Sequence, residues 1–215
     1  MKSKKMLVQI IVDNPDSWIV PTAITLAEQV QQMGFESCFL QRYDEIQNGE
    51  ILILLSCEKI FKDLFKNKHN LVVHESSLPK GKGWSPVTWQ VIEGENTIPV
   101  TLFEAEEKVD AGVIYGQEFI ELDGTELINE IRKKQAAVTQ KLILRFITNY
   151  PSVSGVKQQG EESFYPRRKT GDCELDTHKT IADNFNLLRV SDNERYPAFF
   201  HYREKKYFLK IEKAG

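Results

Sequence analysis

Cysteine is scarce in this 215-residue chain: three residues, Cys38, Cys57 and Cys173, stand far apart and odd in number. They give neither a disulfide framework nor metal-ligand spacing, so a reducing cytoplasm is the expected setting and no metal is expected. Long apolar runs are absent too. The first, Leu7 to Val12, is short and ends at Asp13, so the basic opening MKSKKM is not read as a signal peptide and no membrane span is expected. Neither sign of charge dominates, with 28 Lys and Arg against 31 Asp and Glu and a net charge of −3. That balance argues against a nucleic-acid partner. No glycine-rich turn follows the first strand, which excludes a dinucleotide site at its usual place, and there is no P-loop and no Ser-His-Asp motif.

What is present is an ordinary globular composition, 41% hydrophobic and 27% charged, long enough for one substantial core with a small appendage. Uninterrupted β runs at Leu7–Val12, Ile51–Leu55 and Leu71–Val73, with a short one at Cys38–Leu40, alternate with helical segments. The pattern predicts an α/β fold with an open, mostly parallel sheet and helices on both faces. A helix is expected from Trp18 to Met33, burying Ile19, Ile24, Leu26, Ala27 and Val30 and capped by Gly34. Another should run over Pro86–Glu93 with Ser85 as N-cap. A long one is expected over about Thr125–Tyr150, where Asp123 and Glu126 resemble a capping box. Ile98–Phe103 and Val113–Ile120 read as further strands. Residues 151–162 read as a polar linker, so a boundary is placed near 160. Residues 161–215 then form a small extension, with a helix over Thr177–Arg189 and a hairpin of Ala198–Tyr202 with Tyr207–Ile211.

The chain is organised around Val72–Trp89, VVHESSLPKGKGWSPVTW. His74 ends a buried strand and opens a Pro/Gly/Lys loop, which is where an open α/β sheet places its chemistry. Imidazole suits proton transfer near neutral pH, although a histidine that merely ends a strand explains the residue as well. Asp110, in the turn Val109-Asp110-Ala111-Gly112, is likewise compatible with a plain turn.

His74, Leu78-Pro79, Gly83, Pro86 and Trp89, followed by Gly94, Val100-Thr101 and Val109-Asp110-Ala111-Gly112, together resemble the formyltransferases that use N10-formyltetrahydrofolate. That family includes the methionyl-tRNA, glycinamide ribonucleotide and nucleotide-sugar enzymes, and the likeness spans roughly residues 50 to 120. It implies His74 as catalytic histidine and Asp110 as catalytic aspartate, the first stabilising a developing oxyanion while the carboxylate tunes it and helps move the amine proton. It implies a folate site at Ser56, Cys57 and Ile60 and along the main chain of Glu104, Ala105, Glu106 and Lys108. One departure stands out: Val72 occupies the place of an asparagine oxyanion donor, with Ser76, Ser77, Lys80 or Asn70 as neighbours that could serve instead.

The tail, Tyr165-Pro-Arg-Arg-Lys169 and Asn193–Phe200, resembles that of the nucleotide-sugar N-formyltransferases. The implied acceptor is a nucleotide-linked amino sugar for O-antigen or other surface glycans, including lipopolysaccharide, held by Ser76, Lys80, Gly83, Trp84, Arg167, Arg168, Arg189 and Tyr196. Guanidinium forks suit a pyrophosphate, although surface ion pairs explain these arginines equally well. A homodimer through the hairpin is implied by the same resemblance. Val72 keeps open a second class of function, a folate or nucleotide-sugar binding protein without transfer activity.

Overall fold

The structure, a computed structural model, describes residues 6–214. Strand β1 (Leu7–Ile11) leads through a loop into α1 (Val20–Gln32), β2 (Glu36–Leu40), β3 (Gly49–Leu54) and β4 (Asn67–His74). Short 3-10 turns at Tyr43–Glu45 and Leu64–Lys66 precede β3 and β4. Then come β5 (Lys82–Gly83), α2 (Pro86–Ile92), β6 (Thr97–Glu104), β7 (Ile114–Glu121) and the long α3 (Ile128–Asn149). The tail adds β8 (Phe164–Tyr165), α4 (Phe185–Arg189) and a hairpin of β9 (Ala198–Tyr202) and β10 (Lys205–Leu209).

Six strands form one sheet in the order β2-β1-β3-β4-β6-β7. The first four run parallel, whereas β6 is antiparallel to β4 and β7 antiparallel to β6. The α/β sheet is therefore mixed and mostly parallel, as expected. One face carries the main core, where Val8, Ile10, Ile51, Ile53 and Leu71 meet Leu26 and Val30 of α1 and Leu142, Ile143 and Phe146 of α3. On the other face Ile11, Leu52 and Leu54 lie under Ile46 and Phe61. The connections 41–48 and 55–66 that cross this face hold only single 3-10 turns, so it is covered by turns and loops where a second layer of α-helix was expected. Burial on both sides explains why these strands read as continuous apolar runs.

Several local expectations are corrected. Ile24 faces out of α1, and Ala23 takes the buried place beside Leu26, Ala27 and Val30. Ser85 is left-handed, φ +49°, and makes no side-chain cap, although Pro86 does open α2. The long helix starts later than Thr125, because the Glu126 carboxylate accepts hydrogen bonds from the amides of Asp123 and Gly124 and is used up there. Glu130 supplies the cap instead, accepting from Leu127 N at 2.9 Å. Of the helix expected over Thr177–Arg189 only α4 forms. Asp176 and Asp183 accept from the amides of His178 and Thr180, and such side-chain turns compete with a helix.

The polar linker is the largest surprise. Strand β8 pairs in parallel with β5, inside the loop that follows His74. Residues 158–166 thus form a strap across the sheet's working edge, which docks the start of the tail on the main sheet. The boundary expected near 160 passes through the middle of it.

Candidate active site

At the carboxyl ends of β3 and β4 the chain opens a cleft of about 680 Å³. His74, the last residue of β4, lines it and is 7% exposed. Its Nε2 lies 2.8 Å from the carbonyl oxygen of Gly81. A carbonyl only accepts, so Nε2 carries the hydrogen, and neutral His74 presents Nδ1 as a lone pair. Asp110 lines the same cleft without bonding to His74. Its Oδ2 accepts from Gly83 N at 3.1 Å. The histidine and the aspartate therefore grip opposite ends of one Gly81-Lys82-Gly83 turn.

That turn needs its glycines. Gly83 has φ +98°, and a Cβ on it would lie 2.4 Å from the carbonyl oxygen of Tyr165. Asp110 is itself left-handed, φ +52°, and Gln158 Nε2 holds the turn by donating to the carbonyls of Asp110 (3.0 Å) and Gly112 (2.9 Å). A Cβ on Gly112 would sit 1.8 Å from Glu104 O, which makes that glycine obligatory.

The strap closes the arrangement. Ser163 Oγ accepts from Gly81 N at 2.8 Å, and Trp84 N donates to Tyr165 O at 3.1 Å. Lys82 is 1% exposed, and its ammonium meets Glu162 Oε1 at 2.9 Å. The same oxygen takes Lys108 at 2.8 Å, from the turn that carries Asp110. These two lysines, Lys108 the stronger, hold the Glu162 carboxyl down at about 2.

Most of the residues expected at the site reach the cleft. Ser56, Cys57, Ile60, Ala105, Glu106, Gly83, Trp84, Arg167, Arg168 and Tyr196 all line it, and Arg167 lies 3.6 Å from the carboxylate of Glu58, beside Cys57. Burial pushes the Cys57 thiol up to about 11, so Cys57 is a wall and not a nucleophile. Arg167 stacks 4.5 Å above the Trp84 ring, and Arg168 lies 5.8 Å from that of Tyr196.

Others are placed elsewhere. Glu104 and Lys108, expected through their main chain, turn their side chains away: the Glu104 carboxylate meets His69 Nδ1 (2.9 Å) and accepts from the main-chain N–H of Asn70 (2.5 Å), and Lys108 pairs with Glu162. Ser76 is buried away from the cleft and Lys80 is exposed outside it. Arg189 is a correction in physical terms: it is 1% exposed, its guanidinium bonds Asn96 Oδ1 at 3.0 Å, and desolvation lowers its pKa. Nor does Asn70 stand in at Val72, since its amide donates to Leu64 O at 2.8 Å while Val72 itself lines the cleft.

Sequence reasoning passed over Glu75. Its carboxyl lines the cleft beside His74, and Oε1 accepts from Gln135 Nε2 of α3 at 2.7 Å. Burial raises its pKa, against lowering influences from His74 and Gln135. Gln90 Nε2 holds its main-chain oxygen at 2.7 Å. The only signal was an acid directly after the strand's last residue, because Gln135 reads as part of a solvated helix face.

Among the described residues no group of His, Cys, Asp and Glu is placed to hold a metal ion, and no helix is long and apolar enough to cross a membrane. An imidazole at a strand end and a carboxylate on a neighbouring turn share one cleft at the edge of a mostly parallel sheet, an arrangement suited to proton handling on a bound substrate. The sequence profile described as "Formyl transferase" matches residues 19–147, more than half of the chain, and the chain belongs to that family. It is 29% identical over 144 residues to the methionyl-tRNA formyltransferase of Thermosipho melanesiensis, covering 66% of this chain and 47% of that protein. The chain thus spans about half the length of that curated relative. HypX from Aquifex aeolicus, solved in complex with tetrahydrofolic acid, superposes with a TM-score of 0.80 at 15% identity, over 97% of this chain and 38% of that one. A 4-N formyltransferase from Francisella tularensis gives 0.68 at 17% identity, over 99% and 100% of the two chains.

Proposed function

We propose that this chain transfers a formyl group from N10-formyltetrahydrofolate to the amine of a nucleotide-linked amino sugar. The observation that carries the reading is His74 with its Nδ1 lone pair in the same cleft as Asp110, on a loop tied at both ends. The end of the cleft at Leu54, Leu55, Val72, Phe103 and Ala105 is apolar and suits a flat heteroaromatic ring. Backbone groups around Ala105–Glu106, with Ser56, lie beside it for the ring's polar edge. When bound there, the donor supplies the activated formyl carbon.

The chain's own part is positioning and proton handling. His74 Nδ1 takes the proton that the acceptor nitrogen sheds. Asp110 anchors the Gly83 amide on Oδ2 and stabilises the imidazolium that His74 becomes. Arg167 on Trp84 and Arg168 on Tyr196 pair guanidinium forks with aromatic faces, which fits a pyrophosphate and a base. The likeness to a sugar N-formyltransferase from Shewanella, over 97% of this chain and 98% of that one, supports a sugar acceptor. The sequence relative named for tRNA supports the other acceptor. A second copy bound at the exposed aromatic hairpin of β9 and β10 completes the proposal as a homodimer.

The test is to mix the protein with N10-formyltetrahydrofolate and a panel of dTDP-, UDP- and GDP-linked amino sugars, with initiator methionyl-tRNA as a parallel arm. A product heavier by one formyl group from a sugar is the expected result. Formylation of the tRNA alone would move the acceptor to the second reading. Binding of folate with no product in either arm would leave a binding protein.

A further inference from the structure

Asp110 sits at φ +52°, a left-handed backbone that an aspartate keeps only where its surroundings over-determine it. Returned to an ordinary φ, its Cβ would swing and draw the carboxylate off Gly83 N, from which Oδ2 accepts at 3.1 Å. Something must therefore hold the turn. Among the described residues, the hydrogen bonds made to the main chain of Asp110 and Gly112 come from one side chain, Gln158 of the strap. The Lys108–Glu162 pair nearby is a weaker tie, since the Lys108 side chain is 67% exposed and water screens it. Glu104 N donates to Val113 O at 3.0 Å just beyond the turn, which leaves the φ of Asp110 unfixed. Gln158 Nε2 spends one hydrogen on each carbonyl, at 3.0 and 2.9 Å; with the amide reversed, Oε1 would face two acceptors. Gln158 is delivered there by Val156, which exchanges both main-chain hydrogen bonds with Ile114 at 2.8 Å. It does not line the cleft, so it reaches the chemistry only through Asp110.

We propose that Gln158 is a positioning residue for the transfer step: it locks the left-handed Asp110 turn, so that Asp110 keeps the Gly83 amide and the loop keeps His74 in place. This rests on the formyl-transfer reading above. The contacts run from Gln158 Nε2 to the Asp110 and Gly112 carbonyls, from Asp110 Oδ2 to Gly83 N, and from Gly81 O to His74 Nε2. Gly81 and Gly83 belong to one short turn, so a shift at Gly83 N is carried to Gly81 O, the acceptor that fixes the imidazole tautomer. Gln158 is neutral, and its removal changes geometry while leaving the charge of the site as it is. Misplacement by about 1 Å is enough to cost about 10²-fold in rate.

Two measurements decide it. The first needs no turnover: amide hydrogen exchange of nitrogen-15-labelled protein, read at Gly83, with Trp84, whose N–H goes to Tyr165 O, as the control on the strap. Asp110→Ala sets the exchange rate of a Gly83 amide that nothing holds. Gln158→Met, which keeps the length of the side chain and removes the donor, should move Gly83 most of the way to that rate and leave Trp84 protected. Unchanged protection at Gly83 overturns the proposal. Equal loss at Trp84 overturns it too, because the whole strap would then have come away. The second measurement is the kinetic split. In Gln158→Met, kcat should fall by about 10–10²-fold, with KM for donor and acceptor within about threefold of wild type. An unchanged kcat, or a loss confined to KM, overturns the positioning role. If Gln158→Met does not fold, Gln158→Asn, whose amide is one carbon shorter, takes its place in both measurements. Failure of both variants to fold makes Gln158 structural and overturns the proposal as well. A wild-type protein that formylates no acceptor instead overturns the reading on which this proposal rests.

Discussion

An imidazole whose Nε2 hydrogen is spent on a loop carbonyl handles an incoming amine at Nδ1 alone, so its removal should act on the chemical step and not on folding. His74→Ala is expected to lower transfer by about 10²–10⁴-fold with folate binding retained, measured as kcat beside binding of the donor. Loss of donor binding in parallel would point to a damaged loop. Gly112→Ala should act through sterics, because its Cβ would overlap Glu104 O, and the chemical-denaturation midpoint should fall sharply. A neutral effect there would mean that the turn re-forms easily. That His74 and Asp110 share one cleft could be expected from the sequence, because loop motif and spacing survive in one dimension. Glu75 could not, since what sets it apart is a hydrogen bond from Gln135, 60 positions away. Arg189 erred the other way: a tail arginine reads as an anion hook, yet its partner is Asn96 and its environment the interior.

At the scale of elements, the strap at residues 158–166 couples the His74 loop to the Asp110 turn through a single carboxylate. Glu162 has its pKa depressed by Lys108 and Lys82, so its stabilising effect is full above the ordinary carboxylate range and lost as pH falls toward about 2. Glu162→Gln should therefore lower the urea midpoint at pH 7. The gap to wild type should close as the pH approaches 2. A constant gap across that range would show that the ion pairs contribute nothing. The sequence could not announce this strap. Its contacts come from Gln158, Glu162 and Ser163, polar residues among glycines that resemble any solvated linker. Strands were easier, because burial on both faces leaves unbroken apolar runs, whereas 177–184 carried helix-like spacing that side-chain turns overrode.

For the whole molecule, these ties make the tail part of the catalytic core's stability. A chain ending before residue 158 loses the partners of Gly81, Lys82 and Asp110 and is expected to melt well below the full chain, with circular dichroism as readout. An equally stable fragment would mean that the core stands without the strap. Deeper in, Phe146 of α3 packs edge-on against Tyr115 and His69, and Phe146→Ala should cost about 3–5 kcal/mol in urea unfolding at constant m-value. The chain's three tryptophans also sit where occupancy can be read optically. Trp18 lies under Arg132 and Trp84 under Arg167, both on the cleft, and Trp89 stacks with Tyr165 of the strap. An anionic ligand that draws Arg167 away from its ring alters the indole's field, so intrinsic fluorescence serves as a label-free gauge of binding, with Trp84→Phe as the variant that silences it.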